Sequence, residues 1–553
     1  MRTVRGTRVR FGTVALVTTA MAVMAACSGD PAPSSAPATA SGTATDATTD
    51  ATTDATTAGP STTVAPTTSQ LPQTSVATAT STTVADLPTR DGAQRLHFEV
   101  GPIDIQPGQN NIDFTRRIPQ PDVDGWIVRM RPDLRLADGT VPPVDVVHLH
   151  HGVWLNMSRA DATSPLPERI FAAGEEKTIT ALPAPYGYRY EASDRWVLNF
   201  MLHDLLPDPT QVWITYDVDF VPDDAPEAAD MVPARPIWMD VQNGGVYPVF
   251  DVIRGSGTDG TFTYPDEADD PYGDAAPKNV WTVDRDGVLI ATAGHLHPGG
   301  LHTDLLATRD GQTVPLFRSE AEYFEPAGAV SWDVAMTATT PDWHVAVRQG
   351  DVLSTTATYD SALASWYESM GIMVVWMGDP DPSLPADDPF EVDVAQPGIL
   401  THGHLPENDH HGGEPDADYV DLTKLPSAPA SDTITIEDFV YAEGDMTLAA
   451  TVPTVRPGGT VVFDNLDAPR YRGLWHTITS CAAPCNASTG IAFPIADGEI
   501  PFDSGELGDA GPPTAGRTTW SIPTDLPEGT YTYFCRIHPL MRGAFRVEGD
   551  PLP

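Results

Sequence analysis

The amino-acid sequence predicts an all-β chain: two antiparallel β-sandwiches in series, then a smaller third sandwich at the C-terminal end. Three observations carry this prediction. Apolar and polar residues alternate over short runs, as half-buried strands require. The runs are broken by turn formers, with 45 Gly and 54 Pro in 553 residues. No long stretch keeps the periodicity of an amphipathic helix. The length itself suits about three domains.

Charge excludes one class of partner. With 31 basic and 76 acidic residues the formal net charge is -45, so nucleic-acid phosphate would be repelled. Soluble partners are expected to be basic or to dock through an uncharged patch.

Taken in order, Met1 to Ala26 reads as a signal peptide: four arginines up to Arg10, then an apolar run from Val14. Met24-Ala25-Ala26-Cys27 resembles a bacterial lipobox, which implies cleavage before Cys27 and lipid on its thiol. An ordinary signal peptide with an incidental cysteine is the alternative. The expectation is an exported protein, lipid-anchored to the outer face of the bacterial cell membrane. No later apolar run reaches the length of a membrane-spanning helix. Residues 28–92, rich in Thr, Ala, Ser and Pro with repeated ATTD units, lack the apolar side chains to bury a core and read as a disordered tether.

Folded sequence is expected in two blocks, 93–228 and 229–392. The first holds RLHFEVGPIDI, WIVRMRPDLRL and PVDVVHLHHGVWLN, with His148, His150 and His151 on one strand and His203 on a later one. The second holds VLIATAGHLHPGGLHTDLL, with His295, His297 and His302, and SWYESMGIMVVWMGD, with Met370, Met373 and Met377. His150, His151 and His203 supply enough imidazoles for a type 2 copper. His295 and His297 share one face of a strand, and a Met370 thioether would complete a second, softer site. His148 is expected to be a neighbour rather than a ligand, and His302 and His344 to be hydrogen-bonding or surface residues. Met373 and Met377 have the opposite parity to Met370 and are expected in the core. Residues 393–432 form a Pro/Asp-rich linker in which His402, His404, His410 and His411 serve either a polar hinge or a metal-loading arm.

The third block, 433–553, contains YTYFCRIHPLMRG, spacing Cys535, His538 and Met541 as C-x2-H-x2-M behind a strand-like run. A thiolate, an imidazole and a thioether suit copper cycling between two oxidation states. His476, in GLWHTITS, is the upstream candidate for a second imidazole. The region from Ile434 to Val547 resembles the cupredoxins, and within them the short ligand loop of amicyanin. The resemblance implies a Greek-key β-sandwich with one type 1 copper on His476, Cys535, His538 and Met541. Thr477 is the nearest candidate for a backbone N–H that steadies the thiolate. Cys481 and Cys485 are spaced for a local disulfide, with a metal pair as the alternative.

The order H-H, H, H-x-H, M from Gln94 to Asp379 resembles the copper type II monooxygenases (peptidylglycine α-hydroxylating and dopamine β-monooxygenase). That resemblance implies two jelly-roll-like domains. A copper on His150, His151 and His203 would transfer electrons, and one on His295, His297 and Met370 would bind O2, the two facing each other across an open cleft. The chain departs from this family. The region has no cysteine, and Ala293, Ile372 and Val374 stand where the peptide-amidating enzyme has its substrate-holding Arg, Asn and Tyr. A peptidylglycine substrate is therefore not expected.

The expected function is an exported copper redox protein, its blue-copper domain passing electrons to a monooxygenase-like pair. A small reductant or redox protein would supply electrons, and O2 and an organic substrate would receive them. An anchored electron carrier without oxygenase activity, or a copper-buffering and delivery protein, remains the alternative.

Overall fold

The computed structural model describes residues 83–549 apart from 107–109, 145, 205–208, 243–248, 274, 325–327, 330–331, 410–418, 471–473, 487–499, 512–513 and 539. The signal-peptide reading, Cys27, most of the tether, His410 and His411 therefore lie outside the described residues. The chain is all-β, as expected: strands and short 3-10 turns account for every regular element among the described residues. None of these elements is a helix long and apolar enough to cross a membrane.

In the first sandwich, Gln94–Ile105, Thr210–Pro222, Gly125–Leu136 and Tyr186–Tyr190 lie side by side. Against them packs a second sheet in the order Asn110–Arg116, Trp196–Asp204, Val147–Ala160, Pro167–Gly174. Alternation decides the faces. Along Thr210–Pro222, Val212, Ile214, Tyr216, Val218 and Phe220 are all buried in the first core, where they meet Trp154 and Phe171 from the other sheet. Each such side chain removed from water contributes roughly 1.5–3 kcal/mol.

The two sandwiches share a sheet, which the sequence did not indicate. Val232–Val241 pairs in parallel with Tyr186–Tyr190 and antiparallel with Gly371–Gly378, which in turn pairs with Gly287–Leu296. The sheet of the first sandwich thus continues into the second, and Val288, Ile290 and Trp376 from the second join the first core. The two histidine-bearing strands are held in one body as a result.

The end of the expected tether also belongs to that body. Arg90 donates to the Tyr186 carbonyl (2.6 Å), the Ala85 N–H to the Thr401 carbonyl (2.9 Å), and Arg129 to the Leu87 carbonyl (2.9 Å). Val84 is buried against Ile179 and Ala338.

The third sandwich has a sheet ordered Ser427–Pro429, Val452–Val455, Arg542–Val547, Gly529–Phe534, Thr479–Cys481, facing one ordered Val440–Tyr441, Thr433–Glu437, Val462–Asn465, Thr519–Ser521. It docks on the second sandwich: Phe534, Ile500 and Cys481 share a core with Phe250, Tyr359 and Trp366. Arg536 stacks over Trp366, and Arg254 donates to the Ile500 carbonyl (2.6 Å).

Candidate metal centres

The strand Gly529–Phe534 ends just before Cys535, and the loop behind it is closed by its own backbone. The Cys535 N–H donates to the Met541 carbonyl (3.0 Å), and the Met541 N–H to the His538 carbonyl (2.8 Å). Cys535 Sγ lies 3.7 Å from His476 Nδ1 and 3.6 Å from His538 Nδ1, and the two Nδ1 atoms are 3.1 Å apart. Cys535, His476, His538 and Met541 are all buried. The Thr477 N–H donates to Cys535 Sγ at 3.4 Å, at the position expected for a thiolate-steadying amide. On the far side of His476, Nε2 meets Asp467 Oδ2 at 3.1 Å, and the backbone N–H groups of Asp438 and Phe439 donate to that carboxylate. Burial works against a charged His476, but Asp467 and the Cys535 sulfur outweigh it and hold the ring up to about 9. Asp467 thus orients the ring so that Nδ1 faces the sulfur, as carboxylates behind ligating histidines do.

The second cluster forms across two paired strands. His148 and His203 are direct cross-strand partners in Val147–Ala160 and Trp196–Asp204, and His150, two residues on, shares their face. Their ligating atoms lie within 4.8 Å of one another. Here the expected set changes in one member: His148 stands with His150 and His203 where His151 was expected. The register shift between Leu149 and His151 is the cause: it makes His150 the extra residue of its strand, so His150 stands with His148 and His203, while His151 pairs with Met201 and lines the neighbouring cavity with His295. His148 Nδ1 is bonded to the Val144 carbonyl (2.8 Å), which fixes its tautomer and leaves Nε2 as an acceptor. That Nε2, and both ring nitrogens of His150 and His203, are buried with no hydrogen-bond partner. Trp332 covers the group, 4.6 Å from His148 and 5.3 Å from His150 between ring centres.

His295 and His297 divide between two environments. His297 Nδ1 is bonded to the Glu368 carbonyl (2.6 Å), its buried Nε2 has no partner, and its ring lies 4.5 Å from His150. Glu368 presents that carbonyl from a left-handed backbone conformation, φ 55°. His295 instead turns to Glu176, with Nδ1 3.0 Å from Oε2. His151, His295, Glu176 and Met370 line one cavity between the sandwiches. Met370 is fixed through its backbone: Tyr359 Oη receives its N–H (3.1 Å) and donates to its carbonyl (2.6 Å). Met373 and Met377 lie in the core of the second sandwich. The centres expected to face each other across an open cleft are therefore packed together, because the shared sheet draws the two strands into contact.

Burial keeps these imidazoles neutral. It pushes His148 and His151 down to about 4, and holds His150, His203 and His297 well below the usual range, with neighbouring histidines adding to the effect. Buried nitrogen lone pairs with no proton donor beside them are costly unless something accepts them. A soft-to-borderline metal ion satisfies this donor set, and the group of His476, Cys535 and His538 suits copper in particular. The two clusters also meet: the His203 and His538 rings are 6.0 Å apart, edge to face.

The remaining expectations place as follows. Cys481 and Cys485 form a disulfide. His402 is buried and bonded to the Gly403 carbonyl (2.7 Å), and His404 pairs with Asp333 (3.1 Å) and Asp409 (2.7 Å), so both described linker histidines have protein partners. His302 pairs with Asp304 at 3.3 Å. Sequence reasoning placed His148 beside the donors rather than among them, and missed Glu176, Trp332 and Asp467. Asp467 lies nine residues before His476 with no distinguishing pattern, and Glu176 and Trp332 carry none either.

No family model matches the chain, and no curated relative does. Among solved structures, amicyanin from Paracoccus versutus aligns at 20% identity over 25% of this chain and 100% of its own, TM-score 0.13. A copper-containing nitrite reductase from Thermus scotoductus aligns at 16% identity over 48% of this chain and 55% of its own, TM-score 0.14. The STIV MCP aligns at 8% identity over 53% of this chain and 97% of its own, TM-score 0.24.

Proposed function

We propose that the chain is an exported copper redox protein in which the third sandwich feeds single electrons to a histidine-held copper region with oxygenase activity. The observation that carries this reading is the 6.0 Å approach of the His203 and His538 rings, which brings the group holding Cys535 beside a His-only group. His476, Cys535, His538 and Met541 would hold a type 1 copper. His148, His150 and His203 would hold a type 2 copper, and His151, His295, His297 and Met370 would offer donors for another. Bound copper would supply one-electron cycling and, at the Met370 end, O2 activation. The protein's own part is positional: Asp467, the Val144 carbonyl and the Glu368 carbonyl each fix a ring, and Trp332 excludes water. Oxygen insertion consumes two electrons per O2, so an external reductant must reload the third sandwich between turnovers. Anchoring through Cys27 completes the reading and is checked by lipid labelling of a Cys27→Ser variant.

The deciding experiment is anaerobic reduction of the copper-loaded full chain followed by rapid mixing with O2. The intense visible thiolate band should return quickly in the wild type. In a His203→Phe variant the band should still form on oxidation by ferricyanide but return at least tenfold more slowly with O2. Equal rates would remove the relay. A single blue copper with no further copper bound would leave an anchored electron carrier.

A further inference from the structure

The cavity beside His151 and His295 has walls built from the shared sheet. Three adjacent strands line it: Trp238 and Asp240 from the first, Ile372, Val374 and Trp376 from the second, and the run from Ile290 to His295 from the third. The register places His295 opposite Ile372, Ala293 opposite Val374 and Ala291 opposite Trp376. An apolar floor therefore runs away from His295 and Met370. Phe171 and Val153 from the first sandwich face it, Val84 and Leu87 of the N-terminal strap close one side, and Phe114, 38% exposed, stands at the rim.

Charge within this cavity is already spent on protein partners. Arg169 is bound by Asp161 (2.9 Å) and Asp240 (2.8 Å), and Glu176 lies 3.0 Å from the His295 ring. Lys278 is exposed and reaches Gln242 at 3.3 Å. Arg169 and Glu176, the buried charged groups among the described lining residues, each already have a neighbour of opposite or basic character, and burying an unpaired ionic guest is strongly unfavourable. The cavity measures about 300 Å³, at the small end for organic ligands.

We propose that this cavity binds a neutral, predominantly apolar organic molecule with one end against His151, His295 and Met370. Naming that molecule the substrate rests on the copper-oxygenase reading; its binding does not.

The test uses the full chain, first stripped of copper by chelation and then reloaded, with n-butylbenzene, 4-phenylbutanoate and 4-phenylbutylamine as probes in titration calorimetry. The neutral probe should bind at least tenfold more tightly than either charged one in both copper states. Ala293→Phe, which fills the floor, and Val374→Thr, which keeps its shape but adds a hydroxyl, should each weaken it, Ala293→Phe by tenfold or more. An unchanged unfolding midpoint confirms that the variant is intact. No binding of the neutral probe, equal or tighter binding of a charged one, or binding untouched by both substitutions would overturn the proposal. Neutral-probe binding without any reductant-dependent O2 uptake would sink the oxygenase reading and leave the cavity assignment standing.

Discussion

Gly174→Ala tests whether the packing behind the histidines is as tight as the geometry requires. Gly174 ends the strand Pro167–Gly174 opposite His151, and its N–H donates to Glu176 Oε1 at 3.0 Å. A Cβ there would lie 2.6 Å from Glu176 Oε2, 2.7 Å from the His150 carbonyl oxygen and 2.8 Å from His295 Cε1. Ordinary contact begins near 3.4 Å. Three neighbours must therefore yield by about 0.6–0.8 Å each, and one of them is the backbone of the HLHH strand, so a rotamer change cannot relieve all three. Overpacking of this kind costs roughly 1–3 kcal/mol. The variant should lose about 2 kcal/mol in urea unfolding followed by tryptophan fluorescence. It should also retain less copper at the His-only sites after dialysis while keeping its visible thiolate band. Gly403→Ala, where nothing lies within 4 Å, is the control and should change neither quantity. If Gly174→Ala matches that control in both midpoint and copper content, the close approach of these residues is not what holds the site.

Other expectations follow from single contacts. Replacing Cys481 and Cys485 together by serine opens a short loop and should lower stability by about 2 kcal/mol, read from the denaturation midpoint with and without reductant; equal midpoints would contradict it. Trp154→Ala, at a fully buried position in the first core, should cost about 3–5 kcal/mol. A smaller loss in chemical denaturation would mean the two sheets collapse around the gap. Asp467→Asn keeps one acceptor but sets an amide N–H against a backbone N–H or against His476, and should cost about 1–3 kcal/mol. The thiolate band should survive with an altered position, and an unchanged spectrum would show that Asp467 does not orient the ring.

The class of the fold was legible because strand alternation is local: every second residue of Thr210–Pro222 faces the core, and the sequence displays that directly. The Cys535 loop was legible for the same reason, since three of its donors lie within seven residues. His148 was expected beside the ligands because the doublet His150-His151 stands out in the sequence, whereas the register shift that sets His150 with His148 and His203 leaves no local signal. The pairing of Tyr186–Tyr190 with Val232–Val241 was not legible. Parallel pairing between units leaves no turn signal, and from it follow the contact of His150 with His297 and the closing of the expected cleft. Glu176 and Trp332 acquire their roles only from that long-range packing.

Docking of the third sandwich is part of the site, because its surface meets the residue that holds His297. Glu506, on the third sandwich, sits in an acidic neighbourhood completed by Glu368 and Asp251 of the second. Burial first, then those two carboxylates, push it up to about 9 against the opposing pull of Arg536 and Arg517. The folded chain therefore keeps a proton on Glu506 where the unfolded chain has lost it. Below the ordinary glutamate value of 4.5 both forms are protonated and pH has no effect through this group. As pH rises from there towards 9, the unfolded form alone ionises, so stability falls, by at most about 1.4 kcal/mol per pH unit. Glu506→Gln removes the titration and should flatten that fall, leaving the variant more stable than the wild type at pH 8 in urea unfolding. Parallel losses in the two proteins between pH 5 and pH 9 would refute this. The Glu368 carbonyl that orients His297 belongs to the same interface, so loosening the contact at high pH should also slow return of the thiolate band with O2, and Glu506→Gln should restore it.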